Sequence, residues 1–201
     1  MLSNLPFAAI GAWGLWRLRD ASAAGSGALA WRAFAVALLL TAVGSASYHL
    51  APSNATLAFD RLPIAFACAA ITCAFLAERV DRRWGQPSSV TTALLAAAAA
   101  VAWWWLSERS GGGDLRPYLF VQFLPMLLVP LALAMRMRAV GSGAVNDRAW
   151  WTVLGCYAAA KIAEGADHAL LESALTISGH TCKHLLAAAG AAALFTSDSR
   201  R

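Results

Sequence analysis

The stretch ALAWRAFAVALLLTAVGSASY, at Ala28–Tyr48, carries a single charged side chain, Arg32. A helix that crosses a lipid bilayer needs about 20 consecutive, mostly apolar residues. A helix that is apolar on all of its faces is buried in a large core or in a membrane. The stretch therefore predicts a transmembrane helix.

The composition of the whole chain agrees with that prediction. Of 201 residues, 59% are hydrophobic and 13% are charged, and the mean hydropathy is +0.56. A water-soluble domain has about 45–50% apolar and about 25% charged residues. The apolar excess argues against a water-soluble globular domain and indicates a bilayer environment.

Six further segments resemble the first, and connectors containing Gly, Ser, Pro and Asp separate them. The sequence therefore predicts an all-α integral membrane protein, folded as a seven-transmembrane helix bundle that forms one domain over residues 1–201. The predicted spans are Asn4–Trp16, Ala28–Tyr48, Phe59–Ala77, Val90–Leu106, Leu115–Met135, Ala149–Leu171 and Gly179–Phe195.

The basic residues predict how the bundle is oriented. Cytoplasmic connectors carry an excess of Lys and Arg, and with seven spans only Arg109 and Arg116 fall in connectors on one side. The N-terminus is then extracytoplasmic and the C-terminus cytoplasmic. The net charge of +5 follows from topology, so no nucleic-acid partner is predicted. The arginines on the other, cytoplasmic side are Arg17, Arg19, Arg79, Arg82, Arg83, Arg136, Arg138, Arg148, Arg200 and Arg201.

Five polar residues lie at the predicted outer ends of three spans: Ser45, His49, Asp60, His180 and His184. A step of four residues keeps two side chains on one helix face, which is the spacing within the serine–histidine pair and within the later histidine pair. A polar side chain in a bilayer costs a few kcal/mol unless it faces the bundle interior and finds a partner. The five are therefore expected to converge in the extracytoplasmic half of the membrane.

Three imidazoles at one level are typical of a zinc site. Three protein nitrogens leave a fourth tetrahedral position for water, as in catalytic zinc centres, and zinc makes such a water acidic near neutral pH. A nearby carboxylate can accept the proton of the water, and a serine hydroxyl can stabilise an oxyanion.

Each residue also has a simpler interpretation. A pair of histidines four apart arises often by chance. Ser45 could bond to the backbone of its own helix, and His49 could be an interfacial histidine. Asp60 is expected to cap the third helix, with Pro63 in the first turn, and to take part in chemistry as well.

The pattern of these residues resembles that of the alkaline ceramidase family. It consists of Ser45 and His49 four residues apart, Asp60 eleven residues further on, and His180 and His184 near the C-terminus. That family belongs to a superfamily of seven-span metal hydrolases that includes the progestin and adipoQ receptors. The resemblance implies that the three histidines bind Zn²⁺, that the aspartate accepts the proton of the zinc water, and that the serine steadies the oxyanion. It implies hydrolysis of the N-acyl bond of ceramide or a related N-acyl lipid, which enters sideways from the bilayer.

Alternatives to a ceramidase remain open. The substrate could be an N-acyl amino-acid lipid, and the chain could instead be a receptor-like protein with a structural zinc site. A small ion conductor is a third possibility. The expected location is a bacterial inner membrane, and a membrane lipid is the one partner predicted. Eukaryotic family members carry an acidic calcium-binding segment just before the residues SNL. This sequence begins at MLSNLPF, and calcium is therefore expected to have little effect on activity.

The sixth span holds further ionisable residues. Lys161 and Glu164 are one turn apart and are expected to form an ion pair. Asp167 and His168, with Glu172 beyond them, are interpreted as a polar network between helices or as partners that orient a ligand histidine.

The tryptophans at Trp103–Trp105 and Trp150–Trp151 are expected to lie in interfacial belts, because the amphipathic indole ring favours the headgroup level of a membrane.

Overall fold

The computed structural model describes residues 2–19, 27–140, 143–166 and 178–197. Within these ranges the chain forms seven α-helices and two 3₁₀ turns, and it contains no β-strand. The turns are Leu2–Asn4 and Arg82–Gly85. The helices are α1 (Leu5–Arg17), α2 (Ala28–Leu50), α3 (Asn54–Arg79), α4 (Pro87–Arg109), α5 (Arg116–Ala134), α6 (Asp147–Gly165) and α7 (Gly179–Thr196).

The prediction of an all-α protein is confirmed, and each of the seven predicted segments coincides with one helix. Four of them, α2 to α5, are long and apolar enough to cross a membrane. The 13 residues of α1 extend for about 20 Å, which is less than the ~30 Å hydrocarbon core of a bilayer. The sixth predicted span continues to Leu171, which lies outside the described residues.

The start of α3 corrects the expectation that Asp60 caps this helix. The Ser53 hydroxyl accepts a hydrogen bond from the Thr56 N–H, and the Thr56 hydroxyl accepts one from the Ser53 N–H. This reciprocal capping box starts the helix at Asn54. Asp60 and Pro63 consequently lie in the helix interior, which frees the carboxylate from any capping role.

Pro63 has a consequence for packing against α2. Proline has no N–H, so Pro63 cannot donate the helical hydrogen bond to the Phe59 carbonyl. Gly44 of α2 approaches this carbonyl so closely that a β-carbon at Gly44 would lie 2.6 Å from its oxygen. The close approach of the two backbones brings Ser45 and Asp60 to the same level of the bundle.

Six of the helices form a ring. Each contacts the next in the order α1, α2, α3, α5, α6, α7, and α7 returns to α1. The α4 helix packs on the outside of the ring, against α3 and α5. Large apolar side chains on α4 and α5 point outward, including Leu95, Phe120 and Leu127. Such an exterior is unusual for a water-soluble protein and suits contact with lipid.

The tryptophans divide between the interior and the exterior. Trp151 and Trp103 are about half exposed, as expected for interfacial positions. Trp150 is fully buried and packs against Trp31 and Phe75, with ring centroids 6.0 and 4.9 Å away. Trp104 is also buried, against Arg61 of α3. The prediction of an interfacial position is therefore wrong for Trp104 and Trp150, because consecutive residues of a helix point in different directions and these two face other helices.

A buried polar network closes the end of the bundle at which α3 stops. The Glu78 carboxylate accepts hydrogen bonds from Trp31 Nε1 at 2.8 Å and from the Val145 N–H at 2.9 Å. Arg79 donates to the Val145 carbonyl and forms an ion pair with Asp147 at 2.7 Å. Glu78 and Arg79 are both almost completely buried. The network ties the end of α3 to α2 and to the connection between α5 and α6.

Removing the charge of Glu78 should weaken this end of the bundle. In Glu78→Gln, the amide has only one acceptor oxygen for the two buried donors, Trp31 Nε1 and the Val145 N–H. We expect the free energy of unfolding to fall by about 1–3 kcal/mol, the usual effect of leaving a buried donor unpaired. Denaturation in mixed micelles measures this change. Glu108→Gln is the matched control, and an equal loss of stability in both variants would contradict the role of the network.

Candidate metal centre

The residues predicted to form the site gather at the opposite end of the bundle. His49 lies in the last turn of α2, and His180 and His184 lie in the first two turns of α7. The α7 helix begins at this level because the Ser178 hydroxyl accepts a hydrogen bond from the Thr181 N–H. The two α7 histidines then share one face, four residues apart.

The three histidines are in contact. The Nε2 atoms of His49 and His180 are 3.0 Å apart. The ring centroids of His180 and His184 are separated by 4.5 Å, and those of His49 and His184 by 6.0 Å. One nitrogen from each ring lies within 4.8 Å of the other two. The predicted convergence of the three histidines is confirmed.

The spacing fits a shared metal ion. Two nitrogens that bind one zinc at about 2.0–2.1 Å with tetrahedral angles lie about 3.3–3.4 Å apart. The separations in the cluster bracket this value, so small side-chain rotations would complete the site. Three imidazolium cations would repel one another at this distance, whereas three neutral rings present converging lone pairs. Imidazole binds zinc, copper, iron and nickel alike, so the cluster fits a transition-metal ion as a class.

Ser3 holds one of the histidine rings. Its hydroxyl is 3.1 Å from Nδ1 of His184, which leaves Nε2 as the nitrogen available to a metal. Phe7 packs edge-on against the same ring, with centroids 5.9 Å apart. Histidine ligands of metals commonly use their second nitrogen in such a hydrogen bond, which fixes the ring orientation. The sequence analysis missed Ser3, although its place just before the first helix puts it at the same end of the bundle.

Ser45 and Asp60 lie beside the histidines. Ser45 is buried, and its hydroxyl lies close enough to the Asp60 carboxylate to interact with it. In contrast, Thr41 and Ser47 on the same helix donate to backbone carbonyls four residues earlier. The simpler interpretation of Ser45, a bond to its own helix, therefore describes its neighbours and not Ser45 itself.

One oxygen of Asp60 has no local partner. Oδ1 is buried and lacks a hydrogen-bond partner among the described residues. The charges that act on the carboxylate include those of Lys183 and Arg61. A buried polar atom without a partner is unfavourable and uncommon in folded proteins. Its presence next to a histidine cluster is typical of a site that binds a further group.

A cavity of about 520 Å³ connects these residues and lies inside the helix ring. It reaches from His49 to Phe34 along α2, a separation of about 22 Å along a helix axis. Its upper part, the end near His49, is polar and is lined by all five predicted site residues. Its lower walls are apolar and include Phe34, Leu38, Ile71, Ala191 and Leu194.

The ion pair predicted in the sixth span is confirmed, and the structure adds a second cation to it. Lys161 Nζ lies 2.8 Å from one oxygen of Glu164, and Lys183 Nζ lies 2.8 Å from the other. Asp167, His168 and Glu172 lie outside the described residues, so their suggested role near a ligand histidine stays a prediction.

Comparison of the chain with protein-family models, curated proteins and solved structures finds no match. The resemblance to alkaline ceramidases thus rests on the motifs, and the site must be interpreted from its own geometry.

Ser3 provides a test of how the metal site is held. In Ser3→Ala, the ring of His184 loses the hydrogen bond at Nδ1, and we expect metal affinity to fall by about 10- to 100-fold. Competition with a chelator measures the dissociation constant. Ser47→Ala removes a hydroxyl that bonds only to its own helix and serves as the matched control. Equal affinities in Ser3→Ala and the wild-type protein would contradict the positioning role of Ser3.

Proposed function

We propose that the chain is a zinc-dependent intramembrane amidase that cleaves the N-acyl bond of ceramide or a related N-acyl lipid. The observation that carries this proposal is the position of the three-histidine cluster. It lies beside a carboxylate and a buried serine, at the polar end of a cavity whose other end is apolar. Three histidine ligands with an open fourth position are the usual arrangement of catalytic zinc, and an amphipathic cavity suits a lipid amide.

His49, His180 and His184 would hold the ion. Zinc, when bound, supplies Lewis acidity, which makes water acidic near neutral pH and polarises a carbonyl group. Asp60 accepts a proton from the attacking water and passes it to the nitrogen of the departing amine. The amide C–N bond breaks and a C–O bond to the water oxygen forms, so the products are a fatty acid and a free amine.

Ser45 has two tasks in this mechanism. Before substrate enters, its hydroxyl interacts with the Asp60 carboxylate and orients it. During the reaction, the hydroxyl donates to the former carbonyl oxygen of the amide as negative charge develops there. Its burial supports this role, because an electrostatic contact is stronger where water is excluded.

The shape of the cavity supports a lipid substrate. Pockets for ligands of drug size have volumes of about 300–1,000 Å³, and this one, at about 520 Å³, lies within that range. The acyl chain occupies the apolar part that descends toward Phe34, and the amide lies at the level of the histidines.

We further propose that all seven helices cross the membrane, with the metal site in the extracytoplasmic half. The placement of the histidines and the arginines at opposite ends of the bundle supports this topology. The histidines lie at one end of the bundle, whereas Arg79, Arg82 and Arg83 lie where α3 ends and the chain turns toward α4. The arginine-rich end is expected to face the cytoplasm.

Cysteine labelling tests the orientation. In a variant whose native cysteines are replaced by alanine, Ser110→Cys should react with a membrane-impermeant maleimide in intact cells. Gln86→Cys should react only after permeabilisation, because it lies in the connector at the opposite end of the bundle. Labelling of Gln86→Cys alone in intact cells would reverse the proposed orientation.

Two variants separate metal binding from catalysis. His184→Ala should lose both bound zinc and fatty-acid release, because it removes a ligand. Asp60→Asn should retain zinc and lose about 10²- to 10⁴-fold in turnover, because the amide cannot accept the proton. Metal analysis and release assays on the same purified samples measure both quantities. Asp114→Asn, in the connector between α4 and α5, is the control and should behave as wild type.

The same samples test the competing class of function. Zinc bound at one ion per chain, with no release from ceramide or other N-acyl lipids, would favour a receptor-like protein with a structural metal. Retention of full turnover in Asp60→Asn would contradict the proton-transfer step.

A further inference from the structure

Arg61 is a charged residue for which the proposed reaction has no role. It follows Asp60 in α3, and its side chain lines the upper part of the cavity. Among the described residues, it has no carboxylate within ion-pair distance, and its buried Nη1 atom has no hydrogen-bond partner. The two lysines of the cavity, in contrast, both bind Glu164.

Aromatic rings hold the Arg61 side chain in place. The guanidinium carbon lies 3.9 Å from the centroid of the Trp104 ring and 5.5 Å from that of Tyr118. Stacking on a ring face fixes the plane of a guanidinium group and leaves its in-plane N–H donors free. A guanidinium held in this way is prepared to bind a planar anion through two parallel hydrogen bonds.

The local balance of charge favours an anion. Arg61, Lys161 and Lys183 line the upper cavity together with two carboxylates, Asp60 and Glu164. A charged side chain within an apolar bundle is unfavourable unless it meets a partner, and an unpaired one marks a binding site by default. The missing partner of Arg61 is therefore expected to be negatively charged and to enter through the cavity.

We propose that Arg61 binds the carboxylate of an N-acyl amino acid, which makes this anionic lipid amide the preferred substrate class. This inference rests on the proposed amidase function. Arg61 and Asp60 both line the cavity, and their charges interact, so an anion bound by Arg61 lies near the amide that is cleaved. A carboxylate on the carbon bonded to the amide nitrogen meets that requirement. Ceramide carries uncharged hydroxyl groups on the same side of the amide and leaves Arg61 unpaired.

The test compares an N-palmitoyl amino acid with its primary carboxamide, which has the same chain and size but no charge. For the wild-type, zinc-loaded protein, we expect kcat/KM to be about 10- to 100-fold higher for the acid, the usual effect of a hydrogen bond to a charged group. In Arg61→Gln the ratio of the two values should fall to about one. Because both substrates are measured on the same sample, a loss of folded protein does not affect the ratio.

Arg109→Gln is the matched control. Arg109 also stacks on a tryptophan, with its guanidinium carbon 4.6 Å from the Trp105 centroid, but it is exposed and does not line the cavity. This variant should keep the wild-type preference. Arg61→Lys should keep only part of it, because an ammonium group retains the charge without the planar pair of donors. Equal rates on acid and carboxamide in the wild type, or a full preference in Arg61→Gln, would overturn the proposal.

A binding measurement separates this inference from the proposed function. Displacement of a fluorescent fatty acid gives the affinity for each lipid without requiring hydrolysis. If no lipid is hydrolysed but the acid binds at least 10-fold more tightly than the carboxamide in wild type and not in Arg61→Gln, the anion site is supported and the amidase is not. If ceramide is hydrolysed and the acid and carboxamide bind equally, the amidase is supported and the anion site is not.

Discussion

The structure depends on one constraint, which is that an ionisable side chain in an apolar bundle must face inward and find a partner. With a mean hydropathy of +0.56, the chain offers few places for charge. The inward-facing ionisable groups at the two ends of the bundle differ in how they meet this constraint. At one end, Glu78 and Arg79 bind protein partners, and at the other, ionisable side chains from α3, α6 and α7 line a cavity.

The two ends therefore have different roles. At the end where α3 stops, Glu78 and Arg79 are buried and bind backbone and side-chain partners, although Nε of Arg79 has none among the described residues, and these bonds fix α2, α3 and α6 relative to one another. At the other end, the Asp60 carboxylate and the Arg61 guanidinium each retain a buried atom without a partner. A bundle held firmly at one end can keep unpaired groups at the other. There, a substrate and a metal ion would supply the missing partners.

Much of this arrangement could be predicted from the sequence. Hydropathy predicted seven helical segments at the observed places, and the four-residue spacing of the histidines predicted which side chains share a face. The positions of Ser45 and Asp60, at the same predicted level as the histidines, predicted that they approach them. These inferences succeeded because helix periodicity and short connectors leave few alternatives.

Other features depend on contacts between distant residues and could not be predicted. The capping box at Ser53 and Thr56 placed Asp60 inside a helix, although the sequence offered Asp60 as a plausible cap. The second cation on Glu164 comes from α7, and the hydrogen bond between Ser3 and His184 joins the segment before α1 to α7. The burial of Trp150 reflects the position of α6 in the ring, which no local pattern reveals.

The central claim is that the three histidines form a catalytic metal site. The most direct test measures zinc content and fatty-acid release from N-acyl lipids on one sample of purified wild-type protein. Both should be measured before chelation, after chelation and after zinc is restored. The account predicts about one zinc per chain, with release lost on chelation and recovered in proportion to the zinc that returns. Protein that contains no zinc as purified and takes up none when zinc is added would contradict it.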